Sequence, residues 1–312
     1  MKKISIMTPC YNEEENVMEI YSQVKAEFEE LAGKYSYEHL FIDNCSEDRT
    51  REILRELASR DKNVKCIFNA ANFGAIRSPY YALCQATGDA VIYIVADLQE
   101  PPQLIPQMIK KWEEGHKVVA CVNSKRKENP IVFQTRKAFY KLLKAMSETK
   151  QIENFNGFGL YDKSFIQILR SIKDPYPYLR GLVAEYGCNI ATIDFYKPNR
   201  ERGKSSFNFY KLYDFAMVGF VSYSKFPLRL ACFIGFIVGI LSLAVGLFYL
   251  VYKLMYWDTF QAGSAPLVVG MFFVASVQLF FLGIVGEYVG NILTQVKNRP
   301  LVVEEERINF ED

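Results

Sequence analysis

The strongest constraint on this 312-residue chain lies towards its C-terminal end. Leu230–Tyr252 runs for about 23 residues without a charge, and Pro266–Val285 for about 20 more. Each is long enough to cross a hydrocarbon core about 30 Å thick, which argues against a buried hairpin in a soluble protein. Lys225 and Arg229 flank the first run, Lys297 and Arg299 follow the second, and Lys253, Tyr256, Trp257 and Asp258 lie between them. By the positive-inside rule both chain ends then face the cytosol. Phe207–Phe226, aromatic-rich with Lys211 and Lys225, reads as amphipathic helices lying on a bilayer surface. Gly235, Gly239, Gly246, Gly283, Gly286 and Gly290 would permit close helix approach.

The residues before these runs are patterned differently. Lys3–Thr8, Tyr37–Ile42, Val64–Asn69, Ala90–Ala96 and Val118–Val122 are short apolar runs of strand character. Between them, Val17, Ile20, Val24 and Phe28 recur at helical spacing, as do Ile53, Leu54 and Leu57. Further helices are expected from Asn72-Phe73-Gly74 to about Ala86, over Gln103–Glu114, and over Thr135–Met146. Such βαβα alternation predicts a mostly parallel sheet covered by helices.

In open α/β sheets, ligands sit beyond the carboxyl ends of the strands. Three of those ends are polar: Pro9-Cys10-Tyr11-Asn12-Glu13, Asp43-Asn44-Cys45-Ser46, and Asp97-Leu98-Gln99-Glu100-Pro101-Pro102. Such a rim suits a nucleotide, with an aromatic for the base and a carboxylate for base or ribose. Asp97 and Gln99 are hard oxygen donors, suited to Mg²⁺ or Mn²⁺ shared with substrate phosphates. Each cluster also has a plainer account. Asp97 could cap the next helix, and Asn12-Glu13-Glu14 could complement a helix N-terminus. Three in series favour a site.

Several function classes fall away. A formal net charge of +2 gives no electrostatic case for nucleic acid. The seven cysteines are scattered without a C-x-x-C pair, which suits a reducing cytosol better than a disulfide framework or zinc site. With two histidines, a histidine metal cluster or Ser/His/Asp triad is disfavoured. No G-x-G-x-x-G follows the first strand, so a dinucleotide site is not expected, and no signal-peptide apolar region opens the chain.

The three rim motifs, with Asp43–Thr50 taken whole and Asn72-Phe73-Gly74 added, resemble family 2 glycosyltransferases. More closely, they are similar to dolichyl- and polyprenyl-phosphate sugar transferases of the bactoprenol glucosyltransferase type. The resemblance implies a GT-A fold, an inverting transfer and a divalent cation, Mg²⁺ or Mn²⁺. It places Pro9, Tyr11, Glu13, Asp43, Ser46, Asn72 and Gly74 around a nucleotide sugar, with Asp43 on the base and Asp97 and Gln99 on the metal. It also places Arg200, Arg202, Lys204 and Ser205 in an acceptor-phosphate loop, to which the basic loop Ser124–Lys127 adds Arg126. Arg202 and Asp97 are then the catalytic candidates, with no general base assigned. Three positions depart from the family pattern: Val95 where many members have Asp, Ala71 where Arg is common, and Gly157 where relatives often carry Asp. Arg77 is a candidate substitute for the missing arginine.

The expected architecture is an α/β GT-A catalytic domain over 1–206, interfacial helices over 207–228, a two-helix transmembrane hairpin over 229–296 and a cytosolic tail over 297–312. The expected activity is transfer of a sugar from a UDP-sugar, such as UDP-glucose, to undecaprenyl or another polyprenyl phosphate at the bacterial inner membrane. A homo-oligomer, a tetramer by family resemblance, is a further expectation. One rival is a catalytically silent, membrane-tethered nucleotide-sugar-binding scaffold. A processive polysaccharide synthase is another, but neither Trp112 nor Trp257 lies in the Gln-x-x-Arg-Trp setting typical of such synthases.

Overall fold

The computed structural model describes residues 1–123, 152–196, 226–255, 264–297 and 299–310. Eight strands form one sheet in the order β7-β5-β6-β4-β1-β2-β3-β8. They are β1 (Lys2–Cys10), β2 (Tyr35–Asp43), β3 (Val64–Asn69), β4 (Ala90–Tyr93), β5 (Val118–Asn123), β6 (Phe155–Asp162), β7 (Ile190–Phe195) and β8 (Glu304–Ile308). The central strands β4, β1, β2 and β3 are mutually parallel, and β5 pairs parallel with β7. Strand β6 runs antiparallel between β4 and β5, and β8 antiparallel along β3.

Both faces of the sheet are covered, which is why its strands are continuous apolar runs rather than alternating ones. On one face α1 (Val17–Glu30), α2 (Thr50–Arg60) and α4 (Ile105–Glu113) contribute Val17, Ile20, Leu54 and Trp112 against Ile4, Ile6 and Phe41. On the other, α3 (Gly74–Gln85), α5 (Lys163–Ser171) and α6 (Leu179–Tyr186) contribute Leu83, Phe165 and Leu182 against Met7, Leu40 and Ile42. All seven cysteines are free thiols.

Two expectations are corrected. Strand β4 stops at Tyr93 rather than Ala96. The Ile94 amide still donates to the Met7 carbonyl at 3.0 Å, but the Val95 amide turns to Glu100 Oε2 at 2.8 Å. A side chain has taken the next ladder hydrogen bond, so the strand ends. The 297–312 stretch, expected as a tail, supplies the edge strand β8. Its Glu305 and Glu306 pair with Arg51 at 2.6 Å and Arg55 at 2.7 Å on α2. Ladder pairing with β3 and the packing of Ile308 also hold it, but Glu304-Glu305-Glu306-Arg307 is a charged run, so no hydrophobic period announces the strand.

The rim opposite the polar strand ends holds a buried carboxylate, Glu38. It accepts from Ser5 Oγ at 2.5 Å and the Thr87 amide at 2.8 Å, and pairs with Lys3 at 2.6 Å and Lys65 at 2.9 Å. Beside it on β2, His39 is buried, stacked on Phe41 and bonded to Thr8 Oγ1 at 3.0 Å.

The uncharged runs form two long helices, α7 (Phe226–Met255) and α8 (Ser264–Lys297). Among the described residues one helical stretch, Phe273–Lys297, is long and apolar enough to cross a membrane. Nothing lies within 4 Å of where a Cβ would stand on Gly235, Gly283, Gly286 or Gly290. The close approach that these four would permit is therefore not made among the described residues. The expected helix over 135–146, residues 207–225 of the interfacial helices expected over 207–228, and the loop residues Tyr256, Trp257 and Asp258 lie outside the described residues, while 226–228 open α7 instead.

Candidate active site

Because β4, β1 and β2 are adjacent and parallel, their polar carboxyl ends share one rim. The register Cys10↔Asp43 puts the first two motifs side by side. Their loops are tied together: the Asn12 amide donates to Ser46 Oγ at 2.9 Å, the Glu47 amide to Asn12 Oδ1 at 2.8 Å, and the Glu13 amide to Thr50 Oγ1 at 2.9 Å. Glu13, nearly buried, also accepts from Asn16 Nδ2 at 2.6 Å. The plainer account of this motif is thus partly true, since Glu13 and Asn16 order the entry to α1.

Asp43 is fully buried at the end of β2. Its Oδ2 accepts from the Ser46 amide at 3.1 Å and faces Arg51 Nε at 3.4 Å. Oδ1 is buried without a hydrogen-bond partner among the described residues. Burial pushes this carboxyl above its ordinary range, against the opposing pull of Ser46 and Arg51. An orphaned buried carboxylate oxygen is costly, and a ligand donor would relieve it.

Asn44 links this loop to the next. Its Oδ1 accepts from the Phe73 amide at 2.9 Å, and its Nδ2 donates to Asn72 Oδ1 at 2.8 Å. Asn72 Oδ1 also accepts from the Gly74 amide at 2.9 Å, so Asn72 and Gly74 shape this turn. Arg77, the suggested substitute for the missing arginine, instead lies over the Phe73 ring and donates to the Pro300 carbonyl.

At the third strand end, Asp97 does not cap the following helix. Its Oδ1 accepts from the Gln99 amide at 3.1 Å, closing a turn on itself, while Leu98 takes φ 57°. Asn12 (φ 54°) and Cys45 (φ 64°) are likewise left-handed, one in each of the other rim loops. Backbone strain of this kind clusters at functional sites, where surrounding structure over-determines it. Here Glu100 does so: fully buried, it holds the Val95 amide with Oε2 and accepts from Asn156 Nδ2 at 2.6 Å with Oε1.

Strand β6 begins at this rim, so Asn156 and Gly157 stand beside the Asp97 loop. Gly157 has φ 110°, a conformation that L side chains rarely adopt. Asp162, at the far end of β6, caps α5 through the Ser164 amide at 3.0 Å and accepts from Trp112 Nε1 at 2.7 Å. Among the described residues no group of three His, Cys, Asp or Glu could by itself hold a metal. Arg126, Arg200, Arg202, Lys204 and Ser205 lie outside the described residues.

Residues 5–174, which carry all three rim loops, match Glycosyl transferase family 2. The chain belongs to that family. Its central sheet is the GT-A arrangement expected of these glycosyltransferases, and residues 226–292 match the GtrB C-terminal hairpin. The SfII prophage-derived bactoprenol glucosyl transferase of Shigella flexneri is 34% identical over 299 residues, covering 96% of each chain. The prophage bactoprenol glucosyl transferase homolog of Escherichia coli is 32% identical, covering 96% of this chain and 97% of that protein. The uncharacterized glycosyltransferase YkcC of Bacillus subtilis is 34% identical over 312 residues, covering 99% of this chain and 95% of its own.

Sequence reasoning passed over Arg51, Asn44 and Glu100 at this candidate site. Asn44 and Glu100 sit inside the motifs themselves, where a polar residue between two candidate ligands is a signal for loop construction. Arg51 carries no such signal.

Proposed function

We propose that this glycosyltransferase moves a sugar from a UDP-sugar, such as UDP-glucose, onto undecaprenyl or a related polyprenyl phosphate for cell-envelope glycan modification. The full-length likeness to bactoprenol glucosyl transferases, hairpin included, carries the reading. The unpartnered Asp43 Oδ1 supports the donor half, since a uracil imino N–H is a donor of the kind it lacks. Tyr11 stacks the base, while Pro9, Glu13, Ser46, Asn72 and Gly74 form the loops around it.

Asp97 and Gln99 would hold Mg²⁺ or Mn²⁺. Two hard oxygen donors fit such an ion, which takes one or two carboxylates and completes its shell with substrate phosphates and water. When bound, the cation offsets charge developing on the leaving diphosphate. A lipid monophosphate, with a second pKa near about 6, is largely dianionic at neutral pH and needs no base. Gly157, standing where relatives often carry Asp, agrees with that chemistry. Arg126, Arg200, Arg202, Lys204 and Ser205 orient the acceptor phosphate for in-line attack on the anomeric carbon, which inverts it. The two helices span the bacterial inner membrane with both chain ends cytosolic, and self-association through the hairpin belongs to the same reading.

The test is product formation by the full chain in detergent, with undecaprenyl phosphate and a panel of radiolabelled nucleotide sugars, with and without EDTA. A labelled lipid from one donor, lost in EDTA, is the expected result. EDTA-resistant transfer would overturn the metal assignment. Nucleotide binding without any lipid product would favour a silent scaffold. Asp43→Asn, which removes one acceptor oxygen, is expected to weaken UDP binding about 10- to 100-fold in calorimetry, as a hydrogen bond to a charged group is worth about 1.5–3 kcal/mol.

A further inference from the structure

Arg51 stands between two carboxylates from opposite parts of the chain. Its Nε faces Asp43 Oδ2 at 3.4 Å, and its Nη2 donates to Glu305 Oε2 at 2.6 Å. The Nε is buried without a proper hydrogen bond, so the contact to Asp43 does not by itself fix the guanidinium. Two other contacts do: the Glu305 hydrogen bond and the face of Phe68, 5.2 Å away. Phe68 pairs in register with both Asp43 on β2 and Glu306 on β8. The edge strand, the arginine and the Asp43 loop are thus one continuous packing unit.

The strand that supplies Glu305 is itself anchored. The Ala70 amide donates to the Val303 carbonyl at 2.9 Å, Arg77 holds the Pro300 carbonyl, and Gln295 on α8 donates to Asp174 at 2.9 Å. A planar guanidinium gripped on one side presents its other edge in a fixed direction.

We propose that Glu305 is a positioning residue for the donor site, holding Asp43 through Arg51 in the orientation that leaves Oδ1 free for the nucleotide base. The inference rests on the reading that Asp43 meets that base. It ties the strand that follows the helical hairpin to nucleotide affinity, not to the transfer step.

Glu305 is half exposed, with 52% of its side chain accessible, so Glu305→Gln should fold. Calorimetric UDP binding to the full chain in detergent, with donor KM and kcat, tests the relay. Glu305→Gln is expected to raise the UDP Kd and donor KM about five- to tenfold, the scale of coupling between contacting residues, with kcat at saturating donor unchanged. In Asp43→Asn, adding Glu305→Gln is expected to cost nothing further. Glu306→Gln breaks the neighbouring ion pair to Arg55 without touching Arg51, and should leave UDP binding at the wild-type value. Equal weakening by the two glutamate variants would mean general loosening of β8 and would overturn the relay. So would an unchanged Kd in Glu305→Gln, or additive effects with Asp43→Asn. Wild-type UDP affinity in Asp43→Asn alone would remove the donor-site reading on which the relay depends.

Discussion

Asp97→Ala is expected to lower sugar transfer by about a hundred- to a thousandfold, the range seen when a group stabilising developing charge is removed. Two losses coincide in it: the carboxylate charge, and the acceptor that closes the turn on the Gln99 amide. Asp97→Asn separates them. An asparagine Oδ1 can keep the hydrogen bond and the turn, but not the charge that a divalent cation needs. Asparagine is therefore expected to retain UDP binding in EDTA while losing cation-dependent transfer almost as completely as alanine. Measuring initial rates of lipid-linked product across a Mg²⁺ titration decides the matter. An asparagine variant with near-wild-type turnover would take Asp97 out of the metal site.

The second large effect concerns stability. Burial alone would raise the Glu38 carboxyl, but hydrogen bonds from Lys3, Ser5, Thr87 and Lys65 outweigh it and hold it at about 2. With its ordinary value at 4.5, the native carboxylate contributes on the order of 3 kcal/mol at neutral pH. Glu38→Gln leaves two lysines facing a neutral amide, and breaking a buried pair typically costs about 3–5 kcal/mol. The sign of the pH dependence follows. Glu38 is depressed in the fold, so its contribution is complete above pH 4.5 and is lost as pH falls towards about 2. His39 loses stability in the same direction but earlier. Burial lowers its imidazole from 6.5 to about 3, so the unfolded chain takes up a proton first, beginning near pH 6.5. Urea midpoints measured from pH 7 to pH 3 should therefore fall from about pH 6.5 and more steeply below pH 4.5, and Glu38→Gln should lose only that added steepness. A Glu38→Gln midpoint at neutral pH equal to wild type would show the cluster to be inert.

These two residues mark how far the sequence could be read. Asp97 was legible because its motif sits at the end of an apolar run, where a parallel sheet opens its rim. Glu38 was not, because one glutamate inside Tyr37–Ile42 looks like a strand's solvent-facing residue until Lys3, Lys65 and Thr87 are brought around it. The central strands and long helices declared themselves by apolar runs. Strand β6 did not, since Gly157 and Gly159 weaken its strand character. Gly159 is nevertheless required, because a Cβ there would stand 2.2 Å from the Val119 carbonyl oxygen. The Arg51–Glu305 contact joins residues 254 positions apart, beyond any local pattern.

The place of β8 in the chain bears on how the protein is made. Domains tend to fold as they emerge during synthesis, N-terminal parts first. Among the described residues, seven strands precede α7 and α8, and β8 follows them. Until that strand is translated, β3 presents an open edge of the kind that pairs with foreign strands, and Arg51 and Arg55 lack their glutamates. The nascent enzyme therefore reaches its finished sheet only after both long helices have left the ribosome, so a chain halted before Glu304 would carry its hairpin beside an unsealed domain.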